Sequence, residues 1–246
     1  PIARDLGLNE TQIGSIFASS ALAWMILSPV WGSLSDSVGR KKIVIIGLLG
    51  FAISLILFSF TISLGQKELM TGGLLFFLLV AARLLNGMFG SATRPSSGAW
   101  VADITSIDSR SRAFARLDSG FSMGRILGPA IAGLLLLVSY TAPFFLFAAG
   151  AFIVIIFVVF QQSPPKVINK EAVKKLSMFD SRVWPFLIVS AVFGICNASL
   201  VQTSSFFFQD VVMPSSENYI AFASVGFMLS ALGVLNGQLL VADRLQ

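Results

Sequence analysis

One short segment limits what this chain can fold into more than any other: Gly32-Ser-Leu-Ser-Asp36-Ser-Val-Gly39-Arg40-Lys41-Lys42, a charged, glycine-bearing turn between two long apolar runs. No charged residue occurs over 11–35, and none over 43–66. Roughly 20 apolar residues in a helix cross a hydrocarbon core, so each flank is long enough to span one. The segment therefore reads as the tip of a membrane hairpin. Cytoplasmic loops carry the excess of Lys and Arg. That places the tip on the cytoplasmic side and sets the direction of every later crossing.

Composition points to an all-α polytopic membrane protein: hydrophobic residues make up 55% of the chain and charged ones 12%, and there are 23 Phe, more than a soluble core of this length needs. The mean hydropathy is +0.85. A net charge of +5 in a soluble chain would suggest a nucleic-acid partner. Here the charges sit in connectors, membrane orientation accounts for them, and no nucleic-acid partner is expected. One cysteine excludes an internal disulfide, and the absence of histidine removes the usual residue of catalytic-base and metal chemistry. Neither an enzyme nor a metal or other cofactor is expected. The chain opens on Pro1 without a signal peptide, and is expected not to be a complete reading frame.

Charge-poor runs of spanning length number seven, at about 12–31, 43–64, 72–92, 117–140, 141–160, 184–208 and 220–241. With the Asp36 turn inside, the inner connectors hold thirteen basic residues and the outer ones only Arg4 and Lys67; Arg83 and Arg125 fall within spans. Skipping one span would scatter these charges over both sides, so the sidedness is over-determined. The segment before residue 11 is then external and the chain ends inside at Asp243 and Arg244. An odd number of spans, most simply one, is expected before Pro1. The connector 161–182 carries Pro164-Pro165 and five charges over 170–180, and reads as a cytoplasmic linker. It divides a first transmembrane bundle lacking its first helix, 1–160, from the start of a second, 183–246. A faint echo between the Leu34-Ser-Asp36 end of the first span and the Val241-Ala-Asp243 end of the last suits a transporter built from repeated halves.

Charges within spans are the candidates for function. Arg83 lies fifteen residues past Glu68 and eleven before Arg94, near the bilayer middle, where an arginine is costly unless it is paired or faces a wet cavity. Asn86 is expected to offer it a polar partner, and Gly87 and Gly90 to admit a neighbouring helix. In the fourth span Asp118, Ser122 and Arg125 share one face, while Gly120, Gly124 and Gly128 recur every four residues roughly opposite. This stripe is expected to pack closely against another helix, with Pro129 creating a flex point. Asp118 and Arg125 are on the order of 10 Å apart along the axis, so their partners are expected on other helices or in the ligand. Asp36 stands where the helix dipole disfavours a negative charge; Arg40 is its nearest compensation. Asp103 adds charge at the same face. In the sixth span Asn197 and Gln202 are candidates to line a cavity.

With these residues in hand, the chain resembles the major facilitator superfamily, and within it the proton-coupled drug exporters that include tetracycline efflux pumps. The pattern G-x-L-x-D-x-x-G-R-[KR] is met by Gly32, Leu34, Asp36, Gly39, Arg40 and Lys41; R-x-x-x-G by Arg83 and Gly87; and G-x-x-x-G-P-x-x-x-G, a mark of antiporters, by Gly124, Gly128, Pro129 and Gly133. The resemblance covers the whole chain, as helices two to eight of twelve. It implies alternating access between two six-helix bundles rocking about a central site. By that similarity Asp36, Gly39 and Arg40 help latch the cytoplasmic side, Arg83 takes part in proton coupling, and Gly124, Gly128, Pro129 and Gly133 shape a bend associated with export. Ser37, at a commonly basic position, and Arg125, inside the antiporter signature, depart from the pattern.

The expected function is secondary active export of small amphipathic drugs driven by protons, from a bacterial-type plasma (inner) membrane, by a monomer whose partners are substrate, protons and lipid. Importers or exporters of sugars or organic anions share this fold and form the alternative. A seven-span photoreceptor would need a lysine within a span, and every Lys here lies in a connector.

Overall fold

The computed structural model describes residues 2–162 and 184–212 together with the single positions 225, 226, 229 and 233, and among these residues every regular element is helical. A short helix α1 (Ile2–Asp5) leads through Gly7 into α2 (Glu10–Val38) and α3 (Arg40–Gln66). Helix α4 (Gly72–Leu85) runs into a π-helical turn (Asn86–Gly90) and then α5 (Thr93–Ile104). After α6 (Ile107–Leu136) and α7 (Ala142–Phe160), α8 (Trp184–Phe207) ends in a second π-helical turn (Phe208–Val212).

Among the described residues, five stretches are long and apolar enough to cross a membrane: α2, α3, the Gly72–Ile104 stretch, α6 and α7. A shorter apolar helix, Trp184–Leu200, corresponds to the sixth expected span. The seventh, 220–241, lies outside the described residues but for the four single positions, and so does the linker over 163–182.

The helices outrun the apolar segments. The connector expected over 32–42 is reduced to Gly39, and the one expected over 93–116 is helical except for Thr105 and Ser106. At 29 residues, α2 is about 43 Å long, more than a hydrocarbon core needs. The extra turns carry the polar and charged residues. Charge counting locates the hydrocarbon boundary, whereas backbone hydrogen bonding carries the helix on into the headgroups and water. Gly39, at φ 111°, makes the reversal in one residue because it has no Cβ to clash there.

Helix α2 starts on a reciprocal cap: Asn9 Oδ1 accepts from the Gln12 amide at 2.8 Å and Gln12 Oε1 from the Asn9 amide at 3.0 Å. The outer end of the bundle packs Leu8, Ile13, Ile16, Ile62, Leu75 and Leu79 into one buried cluster. Ala52, Leu55, Ala148 and Ala151 form a second, where α3 meets α7 through small side chains. Closer still is α2 against the π-helical turn: a Cβ on Gly87 would lie 2.3 Å from the Ser20 carbonyl oxygen, so only glycine fits.

Candidate functional site

At one end of the bundle the reversal at Gly39 sets the start of α3 against the end of α5. Arg40 Nε donates to Asp103 Oδ2 at 2.9 Å and its Nη1 to Ser35 Oγ at 2.7 Å; Nη1 also forms an ion pair with Asp36. Each carboxylate offsets a local conflict, since Arg40 stands at a helix N-terminus and Asp36 at a helix C-terminus, both against the dipole. Ser35 is buried. Lys41 Nζ donates to the carbonyl oxygens of Val159 and Gln161, each at 2.6 Å. The first signature thus joins four elements, α2, α3, α5 and the end of α7.

Further into the membrane, the helix of Arg83 is clamped from both sides. Ser54 Oγ of α3 donates to the Ala82 carbonyl at 2.6 Å, and Trp31 Nε1 of α2 donates to the Met88 carbonyl at 2.6 Å. A π-helical turn frees carbonyls from the regular ladder, and the indole satisfies one of them. Arg83 is half-buried, with its guanidinium 5.2 Å from the Phe17 ring centre and 5.8 Å from that of Phe58. Both lie within cation–π range. The expected polar pairing with Asn86 does not form: Arg83 Nε and Asn86 Oδ1 are both buried without a hydrogen-bond partner among the described residues. Asn86 Oδ1 is turned toward Gly90 instead. The π-helical turn begins at Asn86, and the regular helical spacing of α4 does not continue through it.

Outward of Arg83 lies a cavity of about 590 Å³. Its wall includes Ile13, Phe17 and Ala21 of α2, Phe58 of α3, Leu79 of α4, Phe144 of α7, and Ala198, Thr203 and Phe206 of α8. Helices from both sides of residues 163–183 therefore line it. Leu79, on the wall, is one helical turn from Arg83. Glu10 and Ala3 stand at the outer rim. There Arg4 makes a two-pronged pair with Asp210, Nη1 to Oδ1 at 2.8 Å and Nη2 to Oδ2 at 3.2 Å, while Nη2 also meets Glu10 at 2.5 Å. The same guanidinium lies 4.6 Å from the Phe206 ring centre. The hydrogen bond from Arg4 holds the Asp210 carboxyl below its ordinary range. The same hydrogen bond, accepted by Asp210, raises Arg4 above its ordinary value.

The fourth-span candidates lie elsewhere. Asp118 pairs with Arg94 at 3.5 Å, and Arg94 also sits 5.1 Å from the Phe121 ring centre, joining α5 to α6. Asp118 and Arg125 are exposed and belong to another part of the surface than the cavity wall. The glycine stripe is uncovered: a Cβ on Gly120, Gly124 or Gly128 would meet nothing within 4 Å. Among the described residues, the expected helix partner for it is missing. Gly133 is buried and α6 continues through Pro129 without a break. The side chains of Asn197 and Gln202 lie outside the described residues.

Sequence reading missed Phe17, Phe58, Asp210 and Trp31. Aromatics in an apolar span carry no signal of what they face. Arg4 gave one hint, as a cation on the side that is depleted of cations.

The family model described as Major Facilitator Superfamily matches residues 1–246. Quinolone resistance protein NorA of Staphylococcus aureus (strain MRSA252) is 29% identical over 197 residues, 79% of this chain and 48% of the relative. The protein of the same name in strain N315 is 32% identical over 155 residues, 63% of this chain and 36% of the relative. Multidrug resistance protein 1 of Bacillus subtilis (strain 168) is 35% identical over 150 residues, 61% and 36% of the two chains. The chain spans about half the length, or less, of these relatives.

Proposed function

The chain belongs to the Major Facilitator Superfamily, and on that premise we propose that it works in secondary active export of small amphipathic molecules, driven by inward proton flow through alternating access. The observation that carries this reading is the aromatic-walled cavity of about 590 Å³ between α8 and the helices that precede the linker. Its wall is apolar, with Phe17, Phe58, Phe144 and Phe206 contributing, and such a surface accepts varied apolar solutes because ring contacts impose little directional demand. Relatives named for quinolone and multidrug resistance support the same class of cargo.

In this reading 1–160 and 183–246 belong to two bundles joined by the linker 161–182. The Arg4–Asp210 pair joins the two at one end and, being part-exposed, is weak enough to break and re-form, whereas Arg40 with Asp103 fastens α3 to α5 within the first bundle. Opening one end while the other stays closed moves solute across without a continuous pore. Arg83 serves proton coupling, being a cation held by rings rather than by a carboxylate. No bond in the cargo is made or broken, and the protein acts as a monomer.

The test is ethidium accumulation in everted vesicles containing the full-length protein under an imposed proton gradient. Wild type is expected to accumulate dye and to lose it on adding a protonophore, with Arg83→Ala at least tenfold slower. Dye movement indifferent to the gradient would overturn the reading.

A further inference from the structure

We propose that Phe17 and Phe58 are positioning residues that tie occupancy of the cavity to the state of Arg83. The inference rests on the export reading above and deepens it. Both rings belong to the cavity wall, and both also lie within cation–π distance of the guanidinium, at 5.2 and 5.8 Å. They come from different helices, α2 and α3, and meet Arg83 from α4 between them. One pair of side chains therefore touches both what enters the cavity and the half-buried cation next to it.

The physical logic is competition for a ring. A guanidinium near the bilayer middle has few partners, and Arg83 Nε has no hydrogen bond among the described residues. Ring quadrupoles supply part of what water would supply. An aromatic solute entering the cavity packs against Phe17 and Phe58 and turns them toward itself. A ring that turns to the solute no longer presents its face to the guanidinium. Arg83 is then driven to seek hydrogen-bonding partners elsewhere in the bundle. The turn just beyond it is suited to such a shift, since Asn86 Oδ1 is a buried acceptor without a donor among the described residues. Phe17, at 37% exposed, has room to turn.

The experiment compares leucine with tyrosine at these positions in the full-length protein. Phe17→Leu and Phe58→Leu keep an apolar side chain and remove the ring, whereas Phe17→Tyr and Phe58→Tyr keep the face. Three readouts are taken: thermal melting, ethidium affinity in detergent without a gradient, and proton release from proteoliposomes on adding ethidium. The leucine variants are expected to melt like wild type and to bind ethidium about tenfold more weakly for want of the ring, and, with ethidium raised to saturate each protein, still to lose at least fivefold in ethidium-driven proton movement. The tyrosine variants are expected to retain it. In an Arg83→Ala background the leucine changes are expected to add nothing further. Leucine variants that couple as well as the tyrosine ones, or that cost as much without Arg83 as with it, would overturn the proposal. A wild type showing no gradient-dependent ethidium movement is a different result, and removes the export reading itself.

Discussion

Lys41 caps the C-terminal end of α7: its ammonium donates to the Val159 carbonyl oxygen at 2.6 Å, although 118 residues separate the two in sequence. A second bond, to Gln161, reaches the point where the chain leaves α7. A cation at a helix C-terminus meets the negative end of the dipole. The last basic position of the loop signature is thereby a fastener between α3 and the end of α7.

Lys41→Met is accordingly expected to lower stability by about 1 kcal/mol, the scale of a dipole and capping interaction at a part-exposed site. Lys41→Arg is expected to recover most of it. Thermal melting of the three proteins in detergent checks this. A methionine variant as stable as wild type would show that the cap carries no weight.

Arg40 meets two carboxylates of unequal exposure, Asp103 at 28% and Asp36 at 64%. Solvent screens the second more strongly. Double-mutant cycles are expected to give a coupling of about 1–2 kcal/mol for Arg40 with Asp103, and no more than about 0.5 kcal/mol for Arg40 with Asp36, as for exposed pairs one turn apart. The reverse ranking would contradict the burial argument.

Two glycines of the signatures are predicted to behave in opposite ways. Gly87→Ala drives a methyl to 2.3 Å from the Ser20 carbonyl oxygen, and is expected to cost about 2–3 kcal/mol through overpacking. Gly124→Ala meets nothing within 4 Å, and its melting temperature is expected to match wild type. Any loss of transport in Gly124→Ala would then reflect motion, not folding.

The Arg4–Asp210 pair carries a pH prediction. Arg4 lowers the Asp210 carboxyl below its ordinary value, so the pair's contribution is present above the ordinary Asp pKa of about 3.9 and is lost as pH falls through the lower folded value. The outer end is thus expected to keep its spacing from pH 7 to 5 and to open only in stronger acid. Arg4→Gln is expected to open it at every pH. Distances between spin labels at Gly7→Cys and Val211→Cys, in a Cys196→Ser background, report this directly. An Arg4→Gln distance distribution identical to wild type would show that the pair does not close this end.

How much was legible beforehand differs by residue. Gly39, Arg40 and Asp103 were readable as one cluster because each is a charge or a turn residue in an otherwise apolar sequence. Arg83 stood out for the same reason. Its actual partners did not, since Asn86 is the neighbour by spacing while Phe17 and Phe58 are the neighbours in space. The glycine stripe of α6 was legible as a packing surface, but without a neighbour against it among the described residues it packs on nothing.

Chain sequence alone determined the helical class, the lengths of the apolar stretches and the positions of the charges, because apolar length and charge are local quantities. Tertiary structure decided which groups meet: Arg4 with Asp210 across 206 positions, Lys41 with the end of α7, and two phenylalanine rings with Arg83. The reason lies in the solvent. Lipid accepts any apolar face of a helix equally well, so hydrophobicity does not fix a helix's rotation about its axis, and only close packing and buried polar contacts do.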